Sequence, residues 1–176
     1  MKRIKLLEIE NAPESSKEVL VEISQKGRII NLFKAMANSP AVLKTFFGIQ
    51  KALKEKTLSS EIVERIGIQL AVINGCEYCL AAHSYTGSKL ISADEVLLAR
   101  EGKSSDAKVQ IALDLAASIM KSAGHITDEE FESAKNAGFS DAEILEIVTI
   151  VSLNFFTNAI NGVAHTKVDF PKPKEK

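Results

Sequence analysis

The only two cysteines of the chain, Cys76 and Cys79, stand together as a C-x-x-C. Such a pair closes at most one short loop, so it is no disulfide scaffold. In a reducing compartment it is more often catalytic or metal-binding than structural. Glu64 lies upstream and His83 downstream, in the order Glu64-(x11)-Cys76-Glu77-Tyr78-Cys79-(x3)-His83. A helix beginning at the turn Asn74-Gly75 places Cys76, Cys79 and His83 at i, i+3 and i+7, on one face. Cys76 then falls at the helix N-terminus, where backbone N–H groups and the helix dipole favour a thiolate. His83, one turn beyond Cys79, is near enough to take its proton directly or through a water.

Glu64 needs a bend to join them. In one continuous helix it would lie about 18 Å from Cys76. Folded back at Asn74-Gly75 as an antiparallel hairpin, Glu64 and His83 differ in height by only about 4.5 Å. Glu64 can then orient His83 and raise its basicity. Tyr78 and Gln69 are candidate pocket residues, Tyr78 as a wall or packing aromatic and Gln69 as a polar group in an apolar run. The alternative for the thiols is part of a zinc site with His83. Zinc takes four protein ligands, or three plus water, and neither His125 nor His165 has ligand spacing to the pair. No metal site and no cofactor are expected.

The elements that must position these residues are helical. Three segments share a capping box with a hydrophobic staple: Ile91-Ser92-x-x-Glu95-Val96, Ile126-Thr127-x-x-Glu130-Phe131 and Phe139-Ser140-x-x-Glu143-Ile144. Ser39-Pro40 reads as an N-cap with proline at N1. Gly102, Gly124, Gly138 and Gly162 each follow a helical run, as C-terminal caps do. The pattern predicts helices near 15–26, 29–37, 40–55, 60–74, 77–88, 93–101, 106–123, 128–137 and 141–161, an all-α protein.

An offset of 82 residues overlays 61–83 on 143–165, with Glu61, Ile62, Glu64, Ile68, Ala82 and His83 meeting identical residues. This suggests an internal two-fold repeat. The second copy keeps Glu146 and His165 but puts Asn158 and Asn161 where the cysteines stand, so only the first copy can do thiol chemistry.

The E-(x11)-C-x-x-C-(x3)-H spacing, with NGCEYC at its centre, resembles the AhpD-like alkylhydroperoxidases of the carboxymuconolactone decarboxylase superfamily. The resemblance covers about residues 30–165. It implies an AhpD-like helical fold, and a thiol peroxidase acting on alkyl hydroperoxides or hydrogen peroxide, or a disulfide reductase. Cys79 would attack, Cys76 would resolve the redox disulfide, and Glu64 and His83 would relay protons. It also implies a homo-oligomer, a trimer or hexamer, with a thioredoxin-like protein or a lipoyl group as dithiol reductant. The founding enzyme has a second histidine between the cysteines, where this chain has Tyr78. Tyrosine, with an ordinary pKa near 10, is a poor base at neutral pH. The decarboxylase branch generally lacks the cysteine pair, so its presence here argues against lactone decarboxylation; that acid–base chemistry and a non-enzymatic redox sensor are the alternative readings.

Composition sets the outer bounds. The chain has 176 residues, 22 basic against 23 acidic, for a net charge of −1. This suits one helical domain over 14–165, flanked by an extended N-terminal segment, 1–13, and a basic, proline-containing tail, 166–176. The charge balance argues against a nucleic-acid binder. Glu8 and Glu10 break what would be an export signal after Lys2, Arg3 and Lys5. No uncharged apolar run reaches about 18 residues, so a cytoplasmic protein without membrane association is expected. Residues 141–160 are apolar on nearly every face, the pattern of a helix buried all round, and part of this helix is expected to meet another subunit.

Overall fold

A computed structural model describes residues 3–173. The outermost residues of the N-terminal segment and of the basic tail, 1–2 and 174–176, lie outside the described residues. The described chain is helical, without a strand: α1 (Glu14–Lys26), α2 (Asn31–Met36), α3 (Pro40–Ala52), α4 (Ser60–Ile73), α5 (Glu77–Gly87), α6 (Ala93–Arg100), α7 (Ala107–Ser122), α8 (Asp128–Asn136) and α9 (Asp141–Ala164). Short 3-10 turns cover Ile9–Asn11 and Leu53–Glu55. The all-α expectation holds, and each predicted helix has its counterpart.

The starts follow the capping chemistry. Ser39 accepts the Val42 N–H with Pro40 at N1. Thr127 and Glu130 close a full capping box. Ser140 and Glu143 close another, with Glu143 N–H to Ser140 Oγ at 3.2 Å and Ser140 N–H to Glu143 Oε2 at 2.8 Å. The third box is only half formed. Ser92 accepts the Glu95 N–H, but the Glu95 carboxylate turns inward to Arg65, Ser104 and Ser105. One stop signal also differs. Gly162 lies inside α9, which runs on to Ala164, and His165 takes the left-handed conformation beyond it (φ 50°).

The described chain forms two compact units, one of residues 3–54 with 159–169, the other of 55–158 with 170–173. In the first, α1 packs on α3 and on the 3-10 turn at Ile9–Asn11, and α2 packs on α3. Leu20 and Leu43 are fully buried there, with Met36 nearly so. Phe33, Phe46 and Phe47 stack with centroids 5.0 to 5.4 Å apart, so Phe46 and Phe47 serve packing. The N-terminal segment is tied down by Arg3 and Ile4 N–H groups on the Ala164 carbonyl and by Leu7 N–H on Lys34. Asp169 accepts the Asn31 N–H at 3.0 Å and pairs with Arg28 at 3.7 Å.

The second unit is built around α4, which packs against α5, α6 and α7. Residues 65–71 of α4 are buried without a break. The enclosed helix is therefore α4. The last helix, apolar on nearly every face in the sequence, is only partly covered within the single chain. α9 buries Ile144, Ile147, Ile150 and Val151 but leaves Leu145, Val148, Phe155 and Val163 exposed, at 65%, 37%, 59% and 60%. These recur at intervals of three, seven and eight, one side of an α-helix. By length and composition α9 is long and apolar enough to cross a bilayer, but it carries its apolar residues on two opposed faces, one already used by the core.

The second copy of the overlay is put to other uses. The Glu146 carboxylate accepts the N–H groups of Thr57 and Leu58, each at 2.8 Å, and braces the segment that leads into α4. Asn158 accepts from the Asn74 side chain at 2.9 Å.

Candidate functional site

The turn between α4 and α5 sets the site. Gly75 has φ +63°, a left-handed conformation that glycine takes without a Cβ penalty. Its N–H bonds the Val72 carbonyl at 3.1 Å, and the Cys76 N–H bonds the Ala71 carbonyl at 2.8 Å. This is the paired closure of a helix C-terminus by a Schellman motif. Cys76 is at once the residue that closes α4 and the N-cap of α5. Its carbonyl accepts the Leu80 N–H at 2.9 Å, and its Sγ accepts the Cys79 N–H at 3.2 Å.

Cys76 and Cys79 are joined in a disulfide, with Cα atoms 5.3 Å apart. Both are buried, at 7% and 3% exposure. Cys76 nevertheless lines an open cleft of about 510 Å³, with Ala71, Val72 and Leu80 on its apolar side and Glu77, Arg100 and Glu101 as its charged groups. Once the disulfide is reduced, a thiolate at the Cys76 position is favoured by the first-turn amide and the positive end of the helix dipole.

The hairpin brings the acid to the imidazole. His83 Nδ1 lies 2.9 Å from Glu64 Oε2, with side-chain exposures of 26% and 15%. Both residues lie in the second unit, on the packed helices α4 and α5. With Nδ1 held by the carboxylate, Nε2 is the nitrogen left for proton exchange. Glu64 does not pair with Arg65, whose Nε donates to Glu95 Oε2 at 3.1 Å.

That neighbouring network fixes one edge of the cleft. Glu95 accepts from the Ser104 hydroxyl at 2.7 Å, and from the Ser105 amide at 3.0 Å and hydroxyl at 2.5 Å. The Ser105 hydroxyl first, then the Ser105 amide, Ser104 and Arg65, hold its carboxyl at about 2, well below the usual 4.5, against the opposing effect of burial. The turn that follows Arg100 and Glu101 is pinned this way.

Tyr78 and Gln69 are placed less directly. Tyr78 is 3% exposed, and its ring meets Phe170 edge-on at 5.6 Å. Phe170 also contacts Tyr85 at 6.0 Å. The basic, proline-containing tail therefore contributes a packed aromatic at Phe170. Gln69 is buried beneath the turn at Gly102, where its Nε2 comes within 3.0 Å of where a Cβ would stand. Neither residue lines the cleft beside Cys76. Among the described residues no group of three or more His, Cys, Asp or Glu side chains is arranged to hold a metal.

Sequence reasoning missed Gly67 and Phe170. Gly67 sits mid-helix in α4, where glycine costs about 1 kcal/mol relative to alanine. That cost was the available signal that something approaches its backbone.

The nine helices of the described chain and the helix-terminal C-x-x-C define the AhpD-like fold, and known structures share it. An uncharacterized peroxidase-related protein from Ralstonia eutropha JMP134, described as an alkylhydroperoxidase AhpD core, superposes with a TM-score of 0.83 at 23% identity. The match covers 96% of this chain and 92% of that one. A peroxidase-related protein from Silicibacter sp. TM1040 matches at TM-score 0.78 and 25% identity, over 95% and 94% of the two chains. A debrominase crystallised with 2,3,4-tribromopyrrole matches at TM-score 0.78 and 20% identity, over 96% and 92%. No family model matches the chain, and no curated protein matches it in sequence.

Proposed function

We propose that this protein is a thiol-dependent peroxidase, or disulfide reductase, that cycles Cys76 and Cys79 between dithiol and disulfide. The observation that carries the reading is the 2.9 Å contact of Glu64 with His83, on the helix whose first turn holds the disulfide. The Cys79 thiolate attacks a peroxide oxygen, the O–O bond breaks, and the departing alkoxide or hydroxide takes a proton. Cys79 is left as a sulfenic acid. The Cys76 thiol displaces its hydroxyl as water and forms the disulfide, the state seen here. An external dithiol, thioredoxin-like or lipoyl in character, then attacks the disulfide and is itself oxidised. His83 moves the protons and Glu64 holds its ring. The uncovered side of α9 is assigned to contact between copies of the chain.

The test uses peroxide consumption with a dithiol donor. Cys79→Ser and Cys76→Ser should each abolish turnover, and Cys76→Ser alone should accumulate a sulfenic acid at Cys79, read by a dimedone adduct in mass spectrometry. A double serine variant that consumes peroxide as fast as the parent sinks the reading.

The debrominase of the same fold favours a second reading. A dithiol can reduce a carbon–bromine bond to carbon–hydrogen, releasing bromide and a proton while the two thiols become a disulfide. Bromide release from a bromopyrrole by the reduced protein, with no peroxide turnover, selects this chemistry over the first.

A further inference from the structure

Gly67 stands three residues after Glu64 on α4, on the face that meets α5. A Cβ built there would lie 2.5 Å from His83 Nδ1, 2.6 Å from Cε1 and 2.7 Å from Cγ. Carbon contacts are ordinarily about 3.5–4.0 Å, so the imidazole occupies the space a side chain would need. The nitrogen pressed closest to Gly67 is the one that meets Glu64 Oε2 at 2.9 Å. The ring is thus fixed from two directions, by a bare stretch of backbone and by the carboxylate one turn before it.

α5 carries a looser counterpart. At Gly87, one turn after His83, a Cβ would meet the movable Ile68 Cδ1 at 3.3 Å and Glu64 Cβ at 3.7 Å. A methyl fits there with a small shift of Ile68. At Gly67 it fits only if the imidazole leaves or the helices part.

We propose that Gly67 is a positioning residue for the acid–imidazole pair: its missing side chain is the seat that holds His83 Nδ1 on Glu64. The inference rests on the thiol relay read above and names a residue through which that relay is set. Any side chain at 67 swings the ring about its two torsions and breaks the bond to Glu64, leaving the tautomer unfixed.

Three measurements test it. In a reduced Cys76→Ser background, Gly67→Ala should slow alkylation of Cys79 at pH 7 about tenfold, the effect of a one-unit rise in thiol pKa. It should also remove the nitrogen NMR signature of a carboxylate-bonded His83 Nδ1. Because Gly67→Ala can also unfold the protein, its Tm loss is compared with and without the ring. In a His83→Ala background the space is empty, and the loss should shrink to less than half. Equal losses in the two backgrounds overturn the seat.

The seat and the peroxidase reading fail separately. If Gly67→Ala erases the His83 signature while the parent never consumes peroxide, the seat stands and the peroxidase reading falls. If the parent turns over and Gly67→Ala keeps both signature and alkylation rate, the seat falls alone.

Discussion

His83 Nδ1 and Glu64 Oε2 lie 2.9 Å apart although 19 residues separate them in the chain. The turn at Gly75 makes this possible, and the contact gives the imidazole one defined orientation. A neutral amide at 64 can still accept a hydrogen bond but carries no charge to stabilise an imidazolium. Glu64→Gln should therefore lower turnover on the order of 10²-fold, the usual size of a general acid–base contribution, with the helical circular dichroism unchanged. A rate within twofold of the parent would remove the carboxylate from the proton path.

Tyr78 separates the two cysteines but leans on Phe170. Its ring is held by packing, so Tyr78→Phe should keep turnover and its pH profile. Phe170→Ala removes an edge-to-face partner, with a cost of about 1 kcal/mol beyond the lost area, read as a lower urea midpoint. A hundredfold slower Tyr78→Phe enzyme would make the phenol a participant in proton transfer.

Glu95 should make the protein sensitive to acid. Its carboxyl titrates at about 2 in the fold against an ordinary 4.5, so the folded state resists protonation there. The resulting stabilisation is complete above pH 4.5 and is lost as pH falls toward 2. Glu95→Gln should be less stable than the parent at pH 7, and the gap should narrow by pH 3, as chemical denaturation at the two pH values will show. A constant gap would place the effect in packing.

The exposed side of α9 presents Leu145, Phe155 and Val163 to solvent in the single chain. If copies of the chain cover it, Phe155→Glu should shift the protein to a smaller species in sedimentation velocity, with its helix content intact. A parent that sediments as a monomer at micromolar concentration leaves this face without its assigned role.

Much of this was legible in the chain because it is local. A capping box spans four residues, and the boxes at Thr127 and Ser140 form as written. The box at Ser92 fails because Glu95 finds Arg65, 30 residues away, and no local pattern reports a distant cation. The same limit hid Phe170, whose partner Tyr78 lies far upstream. The spacing of Glu64, Cys76, Cys79 and His83 was readable because one bend relates them. Gly67 was not, since a glycine shows an open space without naming the ring that fills it. The apolar pattern of 141–160 marked a helix apolar on nearly every face, which the fold divides into a buried side and an exposed one. It could not tell which side the chain itself would cover, because both consist of the same kinds of residue.

The two sulfurs belong to a single turn, and their α-carbons stand 5.3 Å apart. An undistorted helix separates residues three apart by about 5 Å. Making or breaking this link therefore asks almost nothing of the main chain. In the proposed cycle, electrons are stored and withdrawn while the scaffold stays still, and the rate of exchange is left to whatever reaches the sulfurs from outside.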